Sequence, residues 1–105
     1  MIFRKRRFAD VIERQLDVFV EDRRHDIFAE IRDRKALYDR ADRDDAEELY
    51  GDYVDAVETG TEALADMRDR FKQTLDEDAG EEYEQEFNRA VKKRWPMFGL
   101  EIDLR

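Results

Sequence analysis

The sequence predicts an all-α protein, in which a long antiparallel helical hairpin precedes a shorter third helix and an extended C-terminal tail. One Pro and four Gly in 105 residues leave few interruptions for helices. Apolar residues recur at steps of three and four along most of the chain. The length suits a single domain, residues 1–105.

The first helix is predicted over residues 4–40. Its apolar positions have helical spacing and are Phe8, Val11, Ile12, Leu16, Phe19, Val20, Ile27, Ile31, Leu37 and Tyr38. A fully polar turn, residues 21–26, interrupts the pattern. The helix either runs straight through this turn with a charged seam or bends there.

The second helix is predicted over residues 46–75, after a turn at residues 41–45. Asp44 or Asp45 can cap it, because an Asp oxygen accepts from the free N–H groups of a first turn. One apolar face runs the length of this helix, through Ala46, Leu49, Tyr53, Val57, Gly60, Leu64, Met67, Phe71 and Leu75. Gly80 is predicted as a terminating cap or turn residue.

The third helix is predicted over residues 81–95, where Pro96 stops the pattern. In the tail, residues 96–105, apolar Leu100, Ile102 and Leu104 alternate with acids. A period of two predicts an extended segment or a short strand with one apolar face.

The short turn between the long helices makes them antiparallel and places Ile27 and Phe28 opposite Gly60. The missing side chain of Gly60 is expected to make room for one of them or for close backbone approach. Two helices cannot enclose a core, so we expect a homodimer with a four-helix core. The third helix could instead cover this surface and favour a monomer, and the tail could pack on either copy. The residues expected to meet a partner are Val11, Val18, Val20, Tyr50 and Val54.

The charge pattern predicts an environment of concentrated salt. The formal net charge is -9, and only five of the twenty basic residues are Lys. Acid excess with Arg in place of Lys keeps a protein hydrated in salt but makes it repel itself in dilute buffer. In this composition the chain resembles haloarchaeal proteins. With no Cys and no apolar run long enough for a membrane span, we expect a cytoplasmic protein.

Two basic segments are candidate binding sites. The first, residues 4–7, lies between Phe3 and Phe8, and the second, residues 92–94, precedes Trp95. They could bind phosphates of nucleic acid, and a base could stack on the Trp ring. Phosphate contacts weaken steeply with salt, so pairing with nearby acids and Trp packing in a core are favoured. The residues proposed for partner binding are Arg4, Lys5, Arg6, Arg7, Trp95, Met97 and Phe98.

Catalytic and metal-binding residues are not predicted. His25 is the only His and lies in a polar run, four residues after Glu21. We expect no metal site and no cofactor, since a di-iron bundle needs two Glu-x-x-His motifs. The alternating charges around Arg68 and Asp69 are expected to form solvated helix faces.

The first segment, from Ile12 to Arg24, resembles the opening helix of the all-helical chorismate mutases. That resemblance implies a three-helix dimeric enzyme with cationic side chains in its bundle, for which Gln85 and Arg89 are the nearest candidates. Three functions are therefore considered: a structural or protein-interaction module, which we favour; a nucleic-acid or ribosome accessory protein; and a small helical enzyme.

Overall fold

The computed structural model describes residues 7–105, which form four α-helices and no strand. The all-α class is therefore confirmed. The helices are α1, Ala9–Arg23; α2, Ala29–Asp39; α3, Ala46–Lys72; and α4, Glu77–Arg94. A π-helical turn, Arg24–Phe28, joins α1 to α2, and two short 3₁₀ turns follow α4, at Pro96–Phe98 and Ile102–Leu104. The predicted start of the first helix at residue 4 lies outside the described residues.

The polar interruption of the first helix is a π turn, through which the helix continues. Phe19 and Ile27 are both buried although eight residues separate them. Eight residues exceed two α-helical turns by about 80° of rotation, and the wider π turn absorbs this excess. Asp26 accepts from the backbone N–H of Ile27 at 2.6 Å and from Arg23 at 3.0 Å. These hydrogen bonds hold the pKa of Asp26 below its usual value.

Helix α4 begins four residues earlier than its apolar spacing predicts. The carboxylate of Asp76 accepts from the backbone N–H of Ala79 at 2.8 Å and so caps the first turn. Gly80 therefore lies inside this helix, and its predicted role as a terminating residue is wrong. The sequence predicted Asp44 or Asp45 as the cap of α3. The N-cap position is Asp45, but its side chain makes no capping hydrogen bond.

Helix α4 packs against only one half of the hairpin, the half that contains α1. In this half α1 runs parallel to α4, with Phe8 beside Tyr83 at one end and Asp17 bound to Arg94 at 2.7 Å further along. The second half, α2 and the start of α3, projects beyond α4, and the molecule is 55 Å long but only 22 Å in its shortest dimension. Helix α4, which is the predicted third helix, thus covers part of the hairpin and leaves its outer part, α2 and the start of α3, as two helices.

The tail corrects the expectation of an extended segment. It folds into two 3₁₀ turns that pack on α3 and α4 of the same chain. Ile102 is fully buried, whereas Leu100 and Leu104 are 87% and 82% exposed. The alternation of apolar and acidic residues therefore does not mark one shared face, because the turns separate the three side chains.

Gly60 permits close packing of its neighbours in the core. A Cβ atom at this position would lie 2.8 Å from Cε1 of Phe98 and 3.2 Å from Cγ2 of Ile27. The predicted role of Gly60 in making room for Ile27 is confirmed. The tighter neighbour is Phe98, a tail residue that the sequence did not place here.

Candidate interaction surface

A groove with a volume of about 240 Å³ lies between the outer part of α3 and the tail. We call it the α3–tail groove. Its apolar lining consists of Tyr50, Tyr53, Val54, Val57, Pro96, Met97 and Leu100. Tyr38 of α2 extends the aromatic lining toward the tip of the hairpin, since its ring centroid lies 5.2 Å from that of Tyr50. Tyr38 and the tyrosines of the groove thus lie together on the outer part of the hairpin.

Two apolar side chains of the groove are strongly exposed. Leu100 is 87% exposed and Tyr50 is 50% exposed. Leu100 comes from the tail and Tyr50 from the first part of α3, and both line the groove. The groove therefore carries an exposed apolar side chain from each of the two segments that form it.

Acidic side chains flank the apolar lining. Glu58 and Glu101 line the groove. The guanidinium of Arg105 binds Glu62 at 2.9 Å and Glu101 at 2.8 Å, and these hydrogen bonds raise its pKa. Glu58, Glu62 and Glu101 together outnumber the one guanidinium, so this side of the groove carries a net negative formal charge.

Buried Arg68 fixes the position of the tail and therefore of the groove lip. Its side chain is 1% exposed. One guanidinium nitrogen donates to Oδ1 of Asn88 at 2.9 Å and to the carbonyl of Ile102 at 3.1 Å. The second terminal nitrogen donates to the main-chain oxygen of Arg105 at 2.8 Å, and Nε donates to Asp69 at 2.9 Å. The expectation that Arg68 lies on a solvated face is wrong, because the tail folds over it and supplies acceptors.

The aromatic residues predicted for partner binding lie mainly in the core. Phe98 is fully buried, and its ring lies 5.8 Å from that of Trp95. Trp95 also packs against Phe28 at 5.5 Å. Met97 is half-buried and lines the groove. Of these three predicted anchors, Met97 therefore belongs to the candidate surface, while Phe98 is a core residue.

Cations of the two predicted basic segments lie close to acids. Arg7 lies 3.6 Å from Glu82. In the second segment, Lys92 binds Asp103 at 2.6 Å. The remaining residues of the first segment, Arg4, Lys5 and Arg6, lie outside the described residues.

The residues weighed for catalysis and metal binding are on the surface. His25 is exposed in the π turn, and Gln85 and Arg89 are exposed on α4. Within residues 7–105, no group of three or more His, Cys, Asp or Glu side chains has the arrangement to hold a metal ion. In the same residues, no helix has the length and apolar content needed to cross a membrane.

Sequence reasoning named Tyr50 and Val54 as partner-facing but did not name Leu100, which it placed on the one apolar face of an extended tail or short strand. The signal was available in Pro96 and Gly99, since both favour turns. Comparisons of the chain with protein-family models, with curated proteins and with solved structures gave no match.

Proposed function

We propose that this protein is a non-catalytic, cytoplasmic interaction module that works in concentrated salt and pairs with a copy of itself. The observation that carries the proposal is the α3–tail groove. Tyr and Met are enriched at protein interfaces, and the groove contains two Tyr and Met97. Leu100 adds an exposed apolar side chain of the kind that the core of an interface buries. A surface of this kind on the uncovered half of a hairpin is typical of a docking site.

The charge distribution supports a function in salt. A net charge of -9 on a small domain produces self-repulsion, and two copies repel each other more strongly still. At about 1 M salt the Debye length falls to about 3 Å, so most of this repulsion is screened. Association through an acid-rimmed apolar groove is therefore expected to need salt.

The ion pairs of the basic segments favour the interaction module over a nucleic-acid accessory protein. Arg7 and Lys92 each have a carboxylate within 3.6 Å. The negative charge of these carboxylates offsets the positive charge that would attract a phosphate. Arg94 both binds Asp17 and lies over the Trp95 ring at 4.9 Å. These cations support the packing of the tail and of α1 on α4.

The solution mass at two salt concentrations tests the proposal. At a protein concentration of about 200 µM, we expect a dimer in 2 M KCl and a monomer in 0.1 M KCl, measured by light scattering after size exclusion. An equal molarity of sucrose is the control, since it favours compact states without screening charge. A monomer in both KCl solutions would contradict self-association, and a dimer unaffected by KCl would contradict the role of salt.

A further inference from the structure

We propose that the α3–tail groove binds a positively charged segment of another protein, with a Lys or Arg side chain of that segment beside Glu58 and an apolar side chain against Leu100. This inference rests on the proposed function, in which the groove is the interaction surface, and it names the chemistry of a second kind of partner. Two independent features of the groove carry it, namely a carboxylate without a cation and an exposed leucine.

Glu58 is the carboxylate of the groove that lacks a partner. It is half-buried, and within residues 7–105 it makes no ion pair and no hydrogen bond with another side chain. The second carboxylate of the groove, Glu101, binds Arg105 at 2.8 Å. No Lys, Arg or His of the described chain lines the groove. Because a nearby cation stabilises a partly desolvated carboxylate, Glu58 favours a cationic group on the molecule that occupies the groove.

The aromatic lining suits the same kind of side chain. The ring centroids of Tyr50 and Tyr53 lie 6.3 Å apart, and the faces of such rings attract Lys and Arg through cation–π contacts. Tyr50, Val54 and Glu58 follow one another along α3 at steps of four residues, so they lie on one side of the helix. A segment that lies along this side therefore meets an aromatic ring, an apolar side chain and a carboxylate in order.

The size and charge of the groove favour a protein segment over other ligands. The volume is about 240 Å³, whereas pockets for small molecules usually have about 300–1,000 Å³. Nucleic acids and anionic membrane surfaces carry phosphates, which Glu58 and Glu101 repel. A cationic segment is attracted by the same carboxylates and, unlike a second copy of this chain, needs no salt to approach them.

The cavity between α1 and α4 lacks this combination of features. It has a volume of about 720 Å³ and is lined by three acidic and three cationic side chains, so its formal charges cancel. Ile12 and Leu16, which also line it, are each 2% exposed. This cavity therefore offers little apolar surface and no net charge to a docking segment.

Titration calorimetry with a synthetic peptide tests the chemistry of the partner. The probe is an eight-residue peptide of alternating Leu and Arg, added to about 20 µM protein in 0.5 M KCl, and a peptide with Glu in place of Arg is the control. We expect only the Leu–Arg peptide to bind, and 2 M KCl should weaken its binding at least twofold because salt screens the attraction. No binding of the Leu–Arg peptide, equal binding of both peptides, or an affinity that salt does not lower would overturn the proposal.

Two pairs of substitutions locate the site. Glu58→Gln removes the unpaired carboxylate, and Asp66→Asn makes the same change in charge at an exposed residue of α3 that does not line the groove. Leu100→Ala and Leu104→Ala shorten two exposed side chains of the tail, of which only Leu100 lines the groove. The dissociation constant of the Leu–Arg peptide should rise at least threefold for Glu58→Gln and Leu100→Ala and stay within about 1.5-fold for the other two. Equal effects within either pair would overturn the assignment, and circular dichroism checks that all four variants retain their helices.

Failure of this inference and failure of self-pairing are distinguishable. The peptide is tested at about one tenth of the protein concentration used for the test of self-association. A monomer at about 200 µM in 2 M KCl would therefore contradict self-pairing, while binding of the Leu–Arg peptide would still support the present inference. A dimer that Leu100→Ala dissociates, together with no peptide binding, would show that a second copy occupies the groove and would overturn the inference.

Discussion

Replacing Arg68 with Ala is expected to lower the free energy of unfolding by about 3–5 kcal/mol, because three acceptors lose their donor and each buried group left unsatisfied costs about 1–3 kcal/mol. The guanidinium is 1% exposed and donates to the side chain of Asn88 and to main-chain oxygens of Ile102 and Arg105. Without it, these acceptors lose their partner where water has little access. Urea unfolding in 2 M KCl measures the change.

Arg70 supplies a matched control two residues away on the same helix. It is exposed, and Arg70→Ala is expected to change the free energy of unfolding by no more than about 0.5 kcal/mol. Hydrogen exchange at the amide of Leu104, which donates to the carbonyl of Glu101 at 2.9 Å, should quicken in the Arg68 variant alone. Equal effects of the two substitutions would show that Arg68 does not hold the tail.

Gly60→Ala is expected to destabilise the protein by about 1–2 kcal/mol. The added methyl would lie 2.8 Å from the ring of buried Phe98, and overpacking of a core costs about 1–3 kcal/mol. Higher helix propensity returns about 1 kcal/mol, which leaves a net cost of about 0–2 kcal/mol. Because the contact with the Phe98 ring is so short, we expect a value in the upper half of this net range. The same urea titration gives the value.

Gly51 separates packing from propensity. It lies in α3 as Gly60 does, but a Cβ atom there would meet nothing within 4 Å. Gly51→Ala is therefore expected to raise the free energy of unfolding by about 0.5–1 kcal/mol. If both substitutions stabilised the protein, the close approach of Phe98 to α3 would be wrong.

The helices could be predicted because their apolar spacing is set by local geometry. The face that includes Leu64 packs in the core as the spacing indicates. The start of α4 could not be found in this way, since it depends on the carboxylate of Asp76 and not on an apolar residue. The sequence could not decide whether the first helix bends at its polar turn for a related reason. Nothing in that polar segment marks the extra residue that a π turn contains.

The position of the tail could not be predicted from local pattern. Arg68 has the composition of a surface residue, and its burial depends on carbonyls more than thirty residues away. Phe98 was predicted to be a partner-binding anchor. Its place in the core beside Gly60 could not be predicted, because it is likewise a long-range contact. The candidate groove depends on both residues, and from the tail side of the groove the sequence indicated only Met97.

Sedimentation equilibrium at two salt concentrations tests the proposed salt-dependent self-association most directly, because it gives the mass of the protein without a separation step. A net charge of -9 makes two copies repel each other, and about 1 M salt screens this repulsion. At a protein concentration of about 200 µM, we predict the mass of a dimer in 2 M KCl and the mass of a monomer in 0.1 M KCl. The mass of a monomer in both solutions would contradict the account.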